Sequence, residues 1–107
     1  MSSRISNVFK SLRLNKRSAF IPYITAGDPD IELSQMILES LPIGGADIIE
    51  IGMPFSDPMA DGPSIQESSL RSLNNGHDMN KTFMMIERFR IKDKETPIVL
   101  MGYFNPI

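Results

Sequence analysis

Hydrophobic and polar positions follow two different periods along this chain. Short apolar runs bounded by Gly or Pro predict buried strands at 19–25, 47–52 and 98–102. Between these runs the apolar residues recur every three or four positions, which predicts helices. The predicted order is α-β-α-β-α-α-β, and this alternation indicates an α/β fold with a parallel sheet joined by right-handed crossovers.

The apolar stripes also predict which side of each helix is buried. The first helix, over 4–14, has Ile5, Val8, Phe9 and Leu12 on one side. The next three helices have stripes of Ile31, Leu33, Met36, Ile37 and Leu41, then Ile65, Leu70 and Leu73, then Met79, Phe83, Ile86 and Phe89. We expect the Met and Phe positions of the fourth helix to form the core rather than to contact a cofactor.

Capping residues predict where the helices begin. Asp28 is a suitable N-cap for the second helix, with Pro29 as its first residue. Ser64-x-x-Glu67 has the form of a capping box for the third helix. Asp78 is expected to cap the fourth helix.

Glu50 lies inside the second apolar run, Asp47-Ile-Ile-Glu-Ile-Gly52. Because side chains alternate along a strand, Glu50 shares a face with Ile48 while Ile49 and Ile51 share the other. An unpaired buried carboxylate costs several kcal/mol. Glu50 is therefore either a functional group, a partner of an unseen cation, or a residue at the exposed end of the strand.

A proline-stiffened loop follows this strand, and it contains the carboxylates Asp57 and Asp61. Loops after parallel strands open at the C-terminal face of the sheet, where α/β proteins build their sites. Two carboxylates in different environments can take different roles in acid–base chemistry. Taken singly, Asp57 and Asp61 are also ordinary turn residues before Pro or Gly.

Composition narrows the possible functions. The 107 residues are 41% hydrophobic and 22% charged, with a formal net charge of −2 and no Cys. This profile is typical of a soluble globular domain, and no apolar run has the ~20 residues of a membrane span. The absence of Cys excludes disulfides and thiolate metal sites. His77, in the turn 75–78, is expected to be a solvated loop residue, so a metal centre built from His is not expected.

Charge is distributed unevenly along the chain. Residues 1–17 contain five basic residues and no acid, whereas residues 18–70 contain nine acids and no Lys or Arg. The scattered basic residues lack interleaved aromatics, which argues against nucleic-acid binding. A parallel sheet of three strands would leave two bare edges, so we expect residues 1–107 to be a single domain that is incomplete at its C-terminus.

Three segments together resemble the tryptophan synthase alpha family. The segment from Asp47 to Gln66, with the core Glu50-Ile-Gly-Met-Pro-Phe-Ser-Asp-Pro-Met-Ala-Asp61, resembles the family's signature. The segments Phe20-Ile-Pro-Tyr-Ile-Thr-Ala-Gly-Asp-Pro29 and Met101-Gly-Tyr-Phe-Asn-Pro106 are similar to its first and third strand ends. The resemblance covers nearly the whole chain.

The resemblance implies the N-terminal portion, about three βα units, of a (β/α)₈ TIM barrel. It also implies a lyase that cleaves indole-3-glycerol phosphate to indole and glyceraldehyde 3-phosphate in tryptophan biosynthesis. By similarity, Glu50 is the catalytic acid and base, and Asp61 is the second catalytic carboxylate. The residues expected to line or support an indole pocket are Tyr23, Ile65, Met101 and Phe20, of which Phe20 is also a candidate for an ordinary core role.

The same resemblance implies a partner. The segment Pro54, Phe55, Ser56, Asp57 and Pro58 resembles the loop that faces the beta subunit, in an alpha2beta2 heterotetramer. Pyridoxal phosphate is expected in that partner, and neither a cofactor nor a metal is expected in this chain. The expected compartment is the cytoplasm, with a plastid or another organelle as the alternative.

A complete barrel of this class has about 250 residues, including the loops after strands seven and eight that usually bind phosphate. We therefore expect the 107 residues alone neither to bind this substrate tightly nor to turn it over. The alternative function is a fragment without catalytic activity that only binds the beta subunit.

Overall fold

The computed structural model of the chain describes residues 3–54 and 62–102. Within them the elements follow the order predicted from the sequence. Their bounds are α1 Arg4–Leu14, β1 Tyr23–Thr25, α2 Ile31–Ser40, β2 Ile49–Gly52, α3 Pro63–Asn74, α4 Met79–Lys92 and β3 Ile98–Met101. No helix among these residues is long and apolar enough to cross a lipid bilayer.

The three strands form the predicted parallel sheet, and their order in it is β1-β2-β3. Glu50 in the central strand is paired with Tyr23 of β1 on one side and with Val99 of β3 on the other. Because side chains alternate along each strand, these three residues share one face of the sheet. The next row, which includes Ile51, lies on the opposite face.

The hydrophobic core lies on the face of the sheet that carries Ile49 and Ile51. Both side chains are fully buried, and they cluster with Leu38 of α2 and with Met85 and Phe89 of α4. Helices α2 and α4 therefore cover this face. Glu50, Tyr23 and Val99 lie on the other face.

The stripe predicted for α2 is largely wrong, although Leu41 does pack against the core. Four predicted core positions are exposed, namely Ile31, Leu33, Met36 and Ile37. The buried side instead presents Ser34, Gln35 and Leu38. Gly27 N donates to Ser34 Oγ and Gln35 Nε2 donates to Met85 O, whereas Gln35 Oε1 has no hydrogen-bond partner among the described residues.

The stripes of the other helices are confirmed only in part. In α4, Phe89 is buried and Ile86 packs on the core, but Met79 and Phe83 are exposed. In α1 the buried residue is Leu12. In α3 the buried residues are Ser69 and Ser72, whereas the predicted core residue Leu70 is exposed.

Two of the three predicted caps are also wrong. Asp30 caps α2 by accepting from Leu33 N, and the Asp28–Pro29 peptide bond, which is cis, lies outside the helix. Helix α3 begins at Pro63 with Gly62 at the N-cap, so Ser64 is already within the helix. The cap of α4 is confirmed, since Asp78 accepts from Lys81 N at 2.9 Å.

The regular part of β1 is shorter than the predicted strand 19–25. The segment before it still runs beside β2, because Asp47 N donates to Phe20 O and Glu50 N donates to Pro22 O. Pro22 has no N–H to donate, which limits regular pairing here. Asp47 lies just before β2 and forms two hydrogen bonds with Arg17, and these lower its pKa.

Candidate active site

Glu50 is the second residue of β2 and is half-buried. It lies in the middle of the sheet rather than at an exposed strand end, so that alternative is wrong. In the part of the chain that the structure describes, no cationic side chain forms an ion pair with it. The position of Glu50 in the strand places its side chain on the face of the sheet opposite to α2 and α4.

Tyr23 and Glu50 are neighbours in the sheet, and Tyr23 reaches the end of β2. A Cβ built on Gly52 would lie 1.7 Å from Tyr23 Oη and 2.5 Å from Cζ. Since no real Cβ comes this close to another heavy atom, the phenol occupies the space that a side chain at position 52 would need. Gly52 thus allows the aromatic ring to lie across the C-terminal end of the central strand.

Tyr23 and Ile65, two of the predicted pocket residues, line one cleft of about 330 Å³. The cleft is formed by residues of β1, of the turn that follows it, of α2 and of α3. Its other lining residues are Ile24, Thr25, Asp28, Pro29, Ser34, Ile37, Ser64 and Ser68. The cleft lies at the C-terminal end of β1, where the fold was expected to build its site. Glu50 is adjacent to Tyr23 in the sheet but does not line this cleft.

The other predicted pocket residues lie further away. Met101 pairs with Gly52 at the end of β3 and is 45% exposed. Phe20 precedes β1, at the level of Asp47, and is 49% exposed. Phe20 therefore takes no part in the core formed by the described residues.

Asp61, Asp57, Phe55, Ser56 and Pro58 lie outside the described residues, so their predicted roles stay predictions. Pro54 is described and is half-buried just after β2. Across residues 3–54 and 62–102, no group of three carboxylate or imidazole side chains is arranged to hold a metal ion.

His77 is buried, which corrects the expectation of a solvated loop residue. Only 6% of the residue is exposed, and burial lowers the pKa of its imidazole. Its ring lies against Gly27, where an added Cβ would be 2.4 Å from His77 Nδ1. Gly27 has a φ of +82°, which also favours glycine.

Of the two ring nitrogens of His77, one has a hydrogen-bond partner among the described residues and the other has none. Nε2 forms a 2.6 Å hydrogen bond with Thr82 Oγ1, and Nδ1 has no partner among the described residues. The sequence signal for this site was weak, because the contact depends on a glycine that is distant along the chain.

The sequence did not lead us to predict a set of polar contacts at the C-terminal end of β1. Thr25 Oγ1 and Ser68 Oγ share a 2.6 Å hydrogen bond, and Ser72 Oγ donates to Ala26 O at 2.6 Å. The available signal was the pair Ser68 and Ser72, which lie four positions apart and therefore on one side of the helix.

Comparison with known proteins decides the family. The family model described as "Tryptophan synthase alpha chain" matches residues 9–107. The chain belongs to the tryptophan synthase alpha family.

Individual members of the tryptophan synthase alpha family agree in sequence and in fold. The chain is 57% identical to the tryptophan synthase alpha chain of Granulibacter bethesdensis over 105 residues, or 98% of this chain and 38% of that protein. The solved structure of tryptophan synthase subunit alpha from Legionella pneumophila matches with a TM-score of 0.95 and 44% identity, covering 100% of this chain and 41% of that one. An aminoacrylate-bound tryptophan synthase from M. tuberculosis matches at 0.89 and 38% identity, covering 98% of this chain and 42% of that one.

The chain therefore spans about two fifths of the length of these relatives. Its three parallel strands and four helices, within the described residues, match the N-terminal part of the TIM barrel of tryptophan synthase alpha. The predicted fold class is confirmed.

Proposed function

We propose that the complete protein carrying this sequence is a lyase that cleaves indole-3-glycerol phosphate to indole and glyceraldehyde 3-phosphate. The observation that carries the proposal is the position of Glu50, in the central strand of a tryptophan synthase alpha fold, on the face opposite to the helix-covered core. Family membership supports the reaction class. The central strand fixes Glu50, the proposed acid and base, beside Tyr23.

The reaction needs two proton transfers, and one carboxyl group can perform both in turn. Glu50 as an acid donates a proton to C3 of the indole ring. The resulting carboxylate then removes the proton of the hydroxyl on the adjacent carbon. The hydroxyl oxygen forms the carbonyl of the aldehyde, the bond from that carbon to C3 breaks, and its electron pair restores the aromatic ring. Glu50 ends the cycle protonated again.

Positive charge on the indole ring after protonation at C3 requires a fixed anion. We assign this role to Asp61, because an anion held near a developing positive charge stabilises the transition state electrostatically. Tyr23, Ile65, Met101 and Phe20 are proposed to contact the apolar ring. In the described residues the support for Tyr23 and Ile65 is the cleft that they line together.

The complete protein is further proposed to act with a beta subunit in an alpha2beta2 heterotetramer. This subunit would contain pyridoxal phosphate and would contact the segment Pro54, Phe55, Ser56, Asp57 and Pro58. Membership of the tryptophan synthase alpha family is what supports this part of the proposal.

The test is release of indole from indole-3-glycerol phosphate by the complete natural polypeptide, with and without a beta subunit. We expect Glu50→Gln to lower kcat by about 10²–10⁴-fold, the usual contribution of a general acid or base. Glu87→Gln is the control, because Glu87 is exposed on α4, on the other side of the sheet.

Two results would count against the proposal. One is a wild-type protein that releases no indole, and the other is a Glu50→Gln variant that keeps most of the activity while folded. Activation of the beta subunit that survives both Glu50→Gln and Asp61→Asn would support the binding-only alternative.

A further inference from the structure

Helix α3 is attached to the rest of the fold in an unusual way. Its fully buried side chains are the small polar Ser69 and Ser72, and its apolar residues Ile65 and Leu73 are only half-buried. Helices in globular proteins usually obtain their position from a packed apolar face. Among the described residues, the orientation of α3 therefore depends on polar contacts to a larger extent than that of α4, which buries Met85 and Phe89.

These polar contacts all reach the last residue of β1 or the turn that follows it. Ser68 bonds to Thr25, Ser72 bonds to the carbonyl of Ala26, and Asn75 Nδ2 donates to the carbonyl of Pro29. Arg71 completes the set with two hydrogen bonds to Asp28, from Nε at 2.7 Å and from Nη2 at 3.1 Å.

The ion pair has the strongest directional effect among these contacts. Two parallel N–H···O bonds between guanidinium and carboxylate fix the angle as well as the distance between their elements. Asp28 is also the better shielded partner, with 16% of its side chain exposed against 53% for Arg71. The pair thus locks the outer side of α3 to the turn, while Ser68 and Ser72 hold its inner side.

Fixing α3 in this way also fixes one wall of the cleft at the end of β1. Ser64, Ile65 and Ser68 from the first half of α3 line this cleft together with Tyr23 and Thr25 of β1, and Ser68 is hydrogen-bonded to Thr25. The helix is only 12 residues long, so a rotation about its second half moves Ile65 relative to Tyr23. Asp61 is two residues before the first residue of α3.

We propose that Arg71 is a positioning residue, which acts through its ion pair with Asp28 to hold Ile65 of α3 at the correct distance from Tyr23 for binding of the indole ring. This inference rests on the proposed function, since it concerns the same cleft. It assigns no contact between Arg71 and the substrate.

The chain contains a closely matched control for this ion pair. Arg17 and Asp47 also form two hydrogen bonds, at 2.8 and 3.2 Å, with 54% and 11% of their side chains exposed. This second pair precedes β2 and is remote from the cleft. Arg17→Leu therefore removes a similar Arg–Asp pair without touching the attachment of α3.

The first test is amide hydrogen exchange in the complete natural polypeptide. Arg71→Leu should accelerate exchange in the segment 65–69 by about fivefold, the value expected for a well-formed bidentate pair. Arg17→Leu should leave this segment unchanged, and the double variant Asp28→Arg with Arg71→Asp should recover part of the protection. Equal exchange in wild type and Arg71→Leu would overturn the proposal.

The second test is steady-state kinetics with indole-3-glycerol phosphate. A positioning role predicts a KM raised several-fold in Arg71→Leu, with KM unchanged in Glu87→Gln, because Glu87 is exposed on α4 on the other side of the sheet. A purely structural role would reduce the amount of folded enzyme, which lowers the apparent kcat at constant KM and would overturn the proposal. If the wild type releases no indole, the proposed function fails, and hydrogen exchange alone then decides whether Arg71 holds α3.

Discussion

Replacing Gly52 by Ala tests the arrangement of the aromatic ring at the end of the central strand. The new Cβ would be placed 1.7 Å from Tyr23 Oη, 2.5 Å from Cζ and 2.9 Å from Cε2. Contacts between such atoms are normally about 3.5 Å or longer, so the phenol oxygen must retreat by nearly 2 Å. Because Gly52 lies in a strand between two others, the backbone cannot yield, and the Tyr23 side chain must leave its position.

The expected cost is about 1–3 kcal/mol in the free energy of unfolding, the range for an overpacked site. Urea denaturation measures it directly. Gly44→Ala is the control, since its nearest atoms would be 3.6 and 3.7 Å from the new Cβ, and we expect it to change stability by less than about 1 kcal/mol.

A double-mutant cycle assigns the cost to the Tyr23 ring. In a Tyr23→Ala background the space is empty, so Gly52→Ala should then cost little. If Gly52→Ala is as harmless as Gly44→Ala, or equally costly with and without the ring, the described contact between Tyr23 and Gly52 is refuted.

Two further predictions concern stability. Phe89→Ala should lower the free energy of unfolding in urea by about 3–5 kcal/mol, because Phe89 is 1% exposed in the core. Phe83, on the same helix, is 44% exposed, so Phe83→Ala should cost far less. Similar costs for the two variants would contradict the described packing of α4. Burial lowers the pKa of His77 in the folded protein, so protonation of its imidazole favours unfolding. The contribution of neutral His77 to the free energy of unfolding is therefore complete above the unfolded pKa of about 6.5, and it is lost as the pH falls from there through the folded pKa. His77→Gln should therefore weaken the dependence of unfolding free energy on pH between about 7.5 and 5, and an unchanged dependence would show that His77 is not buried as described.

The strand with Glu50 could be predicted from the sequence because its signal is local. An Ile-rich run bounded by a glycine identifies a buried strand, and the alternation of side chains then separates Glu50 from Ile49 and Ile51. The register of the sheet confirms this separation, since Glu50 is in one row with Tyr23 and Val99.

Positions that depend on contacts between distant segments could not be predicted in this way. Apolar residues occur on several sides of α2, so periodicity alone could not show that Ser34 and Gln35 face the core. Burial of His77 depends on the missing side chain of Gly27, and the place of Tyr23 depends on the missing side chain of Gly52. Both contacts join positions far apart along the chain.

The most direct test of the account is a crystal structure of the complete natural polypeptide with a non-cleavable analogue of indole-3-glycerol phosphate. The account predicts the indole ring next to Tyr23 and Ile65, with the Glu50 carboxylate directed at C3 of the ring. An analogue bound on the face of the sheet covered by α2 and α4, or a Glu50 side chain directed away from the bound ring, would contradict it.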